Sequence, residues 1–143
     1  TNANFTTLCD GNRIFGGYNQ VSGSAERIQK TWIPPDGTQH VKVVMEVYAL
    51  DSWDSEWMWV ALYENIKGAA GLFSQQHHYG WDSDYSGVDH NVCGAIYDDH
   101  QYRAEVSARY DGSGAIKIIV SNNLSGNPVD ESIGIDNVEF WVR

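Results

Sequence analysis

Val41-Lys42-Val43-Val44-Met45-Glu46-Val47-Tyr48-Ala49-Leu50 is the stretch that decides the fold. Val41, Val43, Met45, Val47 and Ala49 fall on one face of an extended chain, the period-two pattern of a strand. Val44, Tyr48 and Leu50 make the other face partly apolar, so the segment reads as a central strand covered on both sides. Downstream, Trp57, Trp59, Ala61 and Tyr63 alternate with Met58, Val60 and Leu62 in a second strand, with both tryptophans expected in the core. Upstream, Ser24 to Ile33 alternates loosely, as an edge strand does, and Pro34-Pro35-Asp36-Gly37 forces a turn.

The remaining segments extend this pattern. Leu72 to His78 and Val92 to Tyr97 read as short strands, Tyr79 to Asn91 as a polar loop, and the Asn65 to Ser74 region as the place for a few helical turns. Tyr102 to Tyr110 and Ala115 to Ser121 flank Asp111-Gly112-Ser113-Gly114, which reads as a hairpin turn. Ser132 to Val142 closes the chain, with Ile133, Ile135, Asn137, Glu139 and Trp141 opposite Gly134, Asp136, Val138, Phe140 and Val142. Roughly eight or nine strands and no strong helix predict an all-β fold: a two-sheet antiparallel β-sandwich, most simply a jelly roll. The 143 residues make one domain, residues 1–143, with no repeat and no linker.

Asp and Glu outnumber Lys and Arg 19 to 9, for a formal net charge of -10. Tracking phosphates needs clustered cations, so nucleic acid and anionic membrane surfaces are not expected partners. No apolar run approaches the roughly 18 residues of a membrane span, so insertion is not expected either. The acidic excess suits solubility and cation binding. The first residue is Thr1 rather than Met, as expected of a processed or excised chain. Cys9 and Cys93 are too few for a thiolate zinc site; they form either two buried thiols or one bridge across about 85 residues. Two sequons, at Asn4 and Asn123, are compatible with secretion and N-glycosylation.

Acidic residues concentrate in Asp51-Ser52-Trp53-Asp54-Ser55-Glu56, in Asp82-Ser83-Asp84-Tyr85-Ser86-Gly87, and from Asp130 and Glu131 to Asp136. The second cluster opens like an EF-hand loop but has Cys93 where that loop needs Glu, leaving either a stand-alone calcium loop of Asp82, Asp84 and Ser86 or a solvated acidic loop. Asp136, flanked by apolar residues, needs a partner: calcium, a cation or backbone amides.

Phe15-Gly16-Gly17-Tyr18-Asn19, Trp32-Ile33-Pro34-Pro35, Asp51-Ser52-Trp53-Asp54 and Asp130-Glu131-Ser132-Ile133-Gly134-Ile135-Asp136-Asn137-Val138, taken in order, resemble a group of extracellular modules of protist and bacterial surface proteins. Those modules carry an IDSWD segment and a DESWGIDNV segment; here Ile133 stands where the group has Trp. The broader similarity is to galactose-binding-like jelly rolls, including calcium-containing carbohydrate-binding modules. The resemblance implies an extracellular or cell-surface module whose Asp51, Asp54, Glu56, Asp130, Glu131 and Asp136 converge on calcium.

Trp53, Trp57, Trp59, Tyr79, Trp81 and Tyr85 are candidates for stacking on sugar rings, and Tyr79, Trp81 and Tyr85, in a polar loop, are the ones expected to be exposed. No HExxH zinc motif, nucleophile elbow, P-loop or dinucleotide fingerprint is present, so catalysis is not expected. The sequence therefore predicts a non-enzymatic recognition or adhesion module that binds glycan or neighbouring protein domains. The alternative is a structural subunit of an extracellular fibre or surface assembly, self-assembled from calcium-stabilised jelly rolls.

Overall fold

The computed structural model describes residues 5–23, 26–53, 56–66, 69–72, 77–80, 91, 93–94, 97, 99–112 and 114–143, with backbone alone for 64–66, 69–72 and 77–80. The strands are β1 (Thr6–Cys9), β2 (Asn12–Gly16), β3 (Arg27–Trp32), β4 (His40–Asp51), β5 (Trp57–Ile66), β6 (Ala69–Leu72), β7 (His77–Gly80), β8 (His100–Arg109), β9 (Ala115–Asn122) and β10 (Glu131–Val142). One sheet runs β1-β2-β10-β4-β8; the other runs β3-β9-β5-β6, with β7 also paired to β5. All pairings are antiparallel.

The order has a simple origin. β2 pairs with β10, β3 with β9, β4 with β8, and β5 with β6 and β7. These are the nested rungs of one long hairpin, rolled so that successive rungs fall in opposite sheets. That is the jelly-roll arrangement, with β6 and β7 as two halves of a single strand position and β1 as an extra edge strand. β4 is central, as its two-sided apolar pattern requires: Val41, Val43, Met45, Val47 and Ala49 face the inter-sheet core. On its other side Tyr48 and Leu50 join Cys9 and Ile14 in a smaller cluster against which Tyr18 and Cys93 pack.

Several expectations are corrected. The Asp111 to Gly114 turn joins no hairpin, because β8 pairs with β4 in one sheet and β9 pairs with β3 and β5 in the other. It is a crossover, and the Tyr110 hydroxyl bridges it by donating to the Gly114 carbonyl at 2.6 Å. The Asn65 to Ser74 region is extended where it is described, since Tyr63 to Ile66 zips onto Ala69 to Leu72. Tyr79 belongs to β7 and pairs with Met58 rather than opening a loop. Cys93, Gly94 and Tyr97 are bends rather than strand. β1 and β2 had no sequence signal, being short and polar.

β10 carries the most consequential irregularity. Its register against β4 shifts between Asp136 and Glu139, and Asn137 sits at φ 49°. Asn tolerates this left-handed conformation better than most residues, and an extra residue here changes which side chains face inward. Ile133 and Ile135 are core before the bulge, and Phe140 packs against the core after it, 4.8 Å between ring centroids from Trp32. Trp141, expected on the face of Ile133 and Ile135, is therefore turned out and is 53% exposed.

Cys9 and Cys93 form a disulfide across a sequence separation of 84. It ties the loop ahead of β8 to the end of β1. By loop-closure entropy, replacing both cysteines with serine should cost about 4.5 kcal/mol at most. Urea unfolding of the oxidised protein and the double variant measures it; equal midpoints would show that the bridge contributes nothing.

Candidate functional site

β9 lies between β3 and β5, and its register sets both faces of the second sheet. Ile116, Ile118 and Val120 of β9 face the core with Ile28 of β3 and Met58, Val60 and Leu62 of β5. The alternate positions form the outer face in three rows across the strands: Arg27–Ser121–Trp59, Gln29–Ile119–Ala61 and Thr31–Lys117–Tyr63. With strands about 4.8 Å apart, each row spans roughly 10 Å, and rows follow one another at roughly 7 Å. Trp57 extends the face past the first row and is 46% exposed. The Asn123 amide donates to its carbonyl at 3.1 Å, and the Trp57 amide donates to Asn123 Oδ1 at 2.5 Å. Trp59 and Tyr63 are half-buried, with Ala61 buried between them in the chain.

Trp57 and Trp59 are thus not core residues, contrary to the sequence expectation. Both faces of β5 are apolar in sequence, and the tie is broken by β9, whose aliphatic residues share a face with Met58, Val60 and Leu62. Trp53 is the opposite case. It is buried, with its indole nitrogen donating to the Ser132 carbonyl at 3.3 Å, and offers no ring to a ligand. Trp81 and Tyr85 lie outside the described residues, as do Asn4, Asp54, Asp82, Asp84 and Ser86, and of Tyr79 only the backbone is described.

The outer face of the first sheet is occupied by its own contacts. Lys42 Nζ sits 5.4 Å from the centre of the Trp141 ring, the Trp141 indole donates to Glu139 Oε2 at 3.0 Å, and Lys42 pairs with Glu105 at 3.9 Å. Further along, Gln101 donates to the Tyr48 hydroxyl at 3.2 Å, and that hydroxyl and Asn137 both donate to Glu46 Oε2, at 3.4 and 2.8 Å. Burial, with Glu46 and Asp136 nearby, pushes the Tyr48 phenol up to about 12.

The acidic residues gather only in part. Asp51, at φ 65°, ends β4 opposite Glu131. Its amide donates to Asp99 Oδ1 at 3.1 Å, Cys93 N donates to Asp99 Oδ2 at 2.7 Å, and Tyr97 N donates to Asp51 Oδ1 at 3.3 Å. Both carboxylates are buried. They face Gly94: a Cβ there would lie 2.2 Å from Asp51 Oδ2 and 2.9 Å from Asp99 Oδ1. Glu131 Oε2 accepts from Gly126 N at 3.3 Å, and Asp130 Oδ1 accepts from the Ser52 hydroxyl at 2.9 Å. Asp136 is five residues along β10 from Glu131, roughly 17 Å away, and lines a cavity of about 410 Å³ at the open edge between the sheets with Arg13 and Lys30. Glu56, half-buried, precedes β5. The structure therefore does not bring Asp136 to the Asp51 end, and it adds Asp99, which no sequence pattern had marked. Among the described residues no group of three or more His, Cys, Asp or Glu is placed to hold a metal ion. Nor does any helix among them have the length and apolarity to cross a membrane.

No family model matches the sequence, and no curated protein matches it. Among solved structures, the chain is similar to one described as "CBM4 structure and function", at 12% identity and a TM-score of 0.47, over 96% of this chain and 88% of that one. A second is the enzymatically active domain of tailspike protein 4 of bacteriophage CBA120, at 10% identity and a TM-score of 0.41, over 82% of this chain and 14% of that one. The chain thus spans a small part of the tailspike protein. Neither alignment bears on what this chain binds.

Two outcomes follow from the geometry. Gly94→Ala should push the Asp51 carboxylate off its amide partner and cost roughly 1–3 kcal/mol, the penalty for disturbing a buried hydrogen-bonded group; an unchanged melting temperature would show that the carboxylate moves freely. Tyr48 keeps its proton in the fold to about pH 12, against 10.0 for an unperturbed phenol. Its contribution is complete below pH 10 and is lost as pH rises toward 12, because the unfolded chain ionises first. Thermal melts across that window should fall less steeply for Tyr48→Phe than for the parent protein.

Proposed function

We propose that this chain is a non-catalytic carbohydrate-recognition module that binds glycan across the outer face of the second sheet. The observation that carries the reading is the row structure of that face. Trp57, Trp59 and Tyr63 stand along one strand, with Arg27, Gln29, Thr31, Lys117 and Ser121 on the neighbouring strands. Flat rings suit the apolar faces of sugars, and flanking amide, hydroxyl and cationic groups suit their oxygens. The first sheet's Trp141, held by Lys42 and Glu139, is a poorer platform. Glycan-array binding followed by titration calorimetry tests the assignment. Trp59→Ala should weaken binding at least tenfold with the fold intact, whereas Trp141→Ala should leave it unchanged; the reverse pattern would move the site to the other sheet.

Calcium belongs to the same proposal, as a structural ion at the Asp51 end. Asp51 and Asp99 bring two carboxylates together beside Gly94, and because they are only a pair among the described residues, an ion held there would take its other oxygens from backbone carbonyls and water. Glu131, opposite Asp51, is the nearest of the other acidic candidates by register. Bound calcium would neutralise two like charges and hold the disulfide-tied loop to the end of β4. An ion present at a hundred times its dissociation constant adds about 2.7 kcal/mol, so melting in millimolar calcium should exceed melting in chelator. Identical curves would remove calcium from the reading without touching the glycan face. An extracellular setting fits this role, and the disulfide is compatible with it.

A further inference from the structure

The outer face of the second sheet is set apart from the rest of this acidic chain by its charge. Its described side chains are Arg27, Gln29, Thr31, Trp57, Trp59, Ala61, Tyr63, Ala115, Lys117, Ile119 and Ser121. Two are cationic and none is acidic, in a chain whose formal net charge is -10. The first sheet's outer face differs: Lys42 pairs with Glu105, and Glu46 and Glu139 lie on the same side. Neither Arg27 nor Lys117 forms an ion pair with a described residue. Two of only nine cations, placed on an aromatic face without an ion pair to a described carboxylate, are available to an incoming anion.

From this segregation we infer that the glycan bound on the second sheet is acidic, carrying carboxylate or sulfate groups along a chain of sugar rings. The inference rests on the proposed glycan reading and narrows it. The geometry supplies two anion positions, one on β3 at the edge of the face and one on β9 in its middle. Arg27 is in the first row, two strands from Trp59, and Lys117 is in the third row, next to Tyr63. Two rows separate them along the strands, roughly 14 Å at 6.8 Å per row. A sugar on Trp59 or Tyr63 would therefore have a cation to one side, and a chain crossing the rows would meet both. Arg27 offers a planar fork suited to two oxygens of a carboxylate or sulfate, and Lys117 offers a point charge. Attraction from these cations works over contact distances, whereas the repulsion of a net acidic chain is screened beyond about 10 Å at 0.1 M salt. The face can thus hold a polyanion that the molecule as a whole would repel at longer range.

The test is an array of acidic glycans (oligogalacturonate, alginate oligomers, hyaluronate and chondroitin sulfate) beside neutral cello-, xylo-, laminari- and manno-oligosaccharides. Titration of the best binder follows, against the parent protein, Arg27→Gln/Lys117→Gln and Trp59→Ala, each checked for fold by circular dichroism. Acidic glycans should lead the array. The double glutamine variant should lose about tenfold in affinity for them, and Trp59→Ala should lose binding altogether. If oligogalacturonate is bound, methyl esterification, which removes the charge and keeps the rings, should weaken it to a similar degree. Neutral glycans bound in a Trp59-dependent way, or acidic binding indifferent to the double variant, would overturn the charge inference and leave the glycan reading standing. No binding to any glycan would overturn both.

Discussion

The pairing of β9 with β3 on one side and β5 on the other decides which half of the second sheet meets water. Ile116, Ile118 and Val120 can be buried only if they face the first sheet, and once they do, Met58, Val60 and Leu62 must join them. Burying an aliphatic side chain is worth roughly 1.5–3 kcal/mol, so slipping β9 by one residue would expose Ile116, Ile118 and Val120 together. The aromatic residues of β5 are outside because the aliphatic ones have a better claim to the inside. The surface proposed to bind sugar is thus a by-product of core packing, and its side chains are placed by rigid strands rather than by loops.

Much of this was legible in the sequence. The two-sided apolar pattern of Val41 to Leu50 located the central strand, and the loose alternation around Ile28 located an edge. The wrapping of the chain followed from counting strands and turns. Three features were not legible, each for a physical reason. The direction of Trp57 and Trp59 depends on a partner strand some sixty residues away, and a strand apolar on both faces carries no local sign of which face is inner. The turn at Asp111 to Gly114 has hairpin chemistry, but hydrogen-bonding partners elsewhere drew its flanking strands into different sheets. Asp99 has no motif around it; its role comes from the amides of Asp51 and Cys93, which are far apart in sequence and meet only in the folded sheet end.

The acidic clusters show the same division between composition and position. Asp51 and Glu131 were expected to meet, and they are register partners. Asp136 was expected with them, but an extended strand carries its sixth residue far from its first. On the page of the sequence these carboxylates look like one set, whereas the sheet distributes them between the disulfide-tied end and the open edge beside Arg13 and Lys30. Buried carboxylates at the first location are held by backbone amides, so they organise a loop whether or not an ion joins them.

The bulge in β10 also acts as a counter. Before it, odd-numbered residues point inward; after it, Phe140 does. Pairing straight through Asn137 without the bulge would set Trp141 opposite Val41 on the core face and turn Phe140 away from Trp32. Loss of one residue here would instead remove the bulge and leave Phe140 opposite Val43 and Trp141 opposite Lys42. The one extra residue is thus what lets an apolar pattern that changes phase along the strand meet a single continuous core.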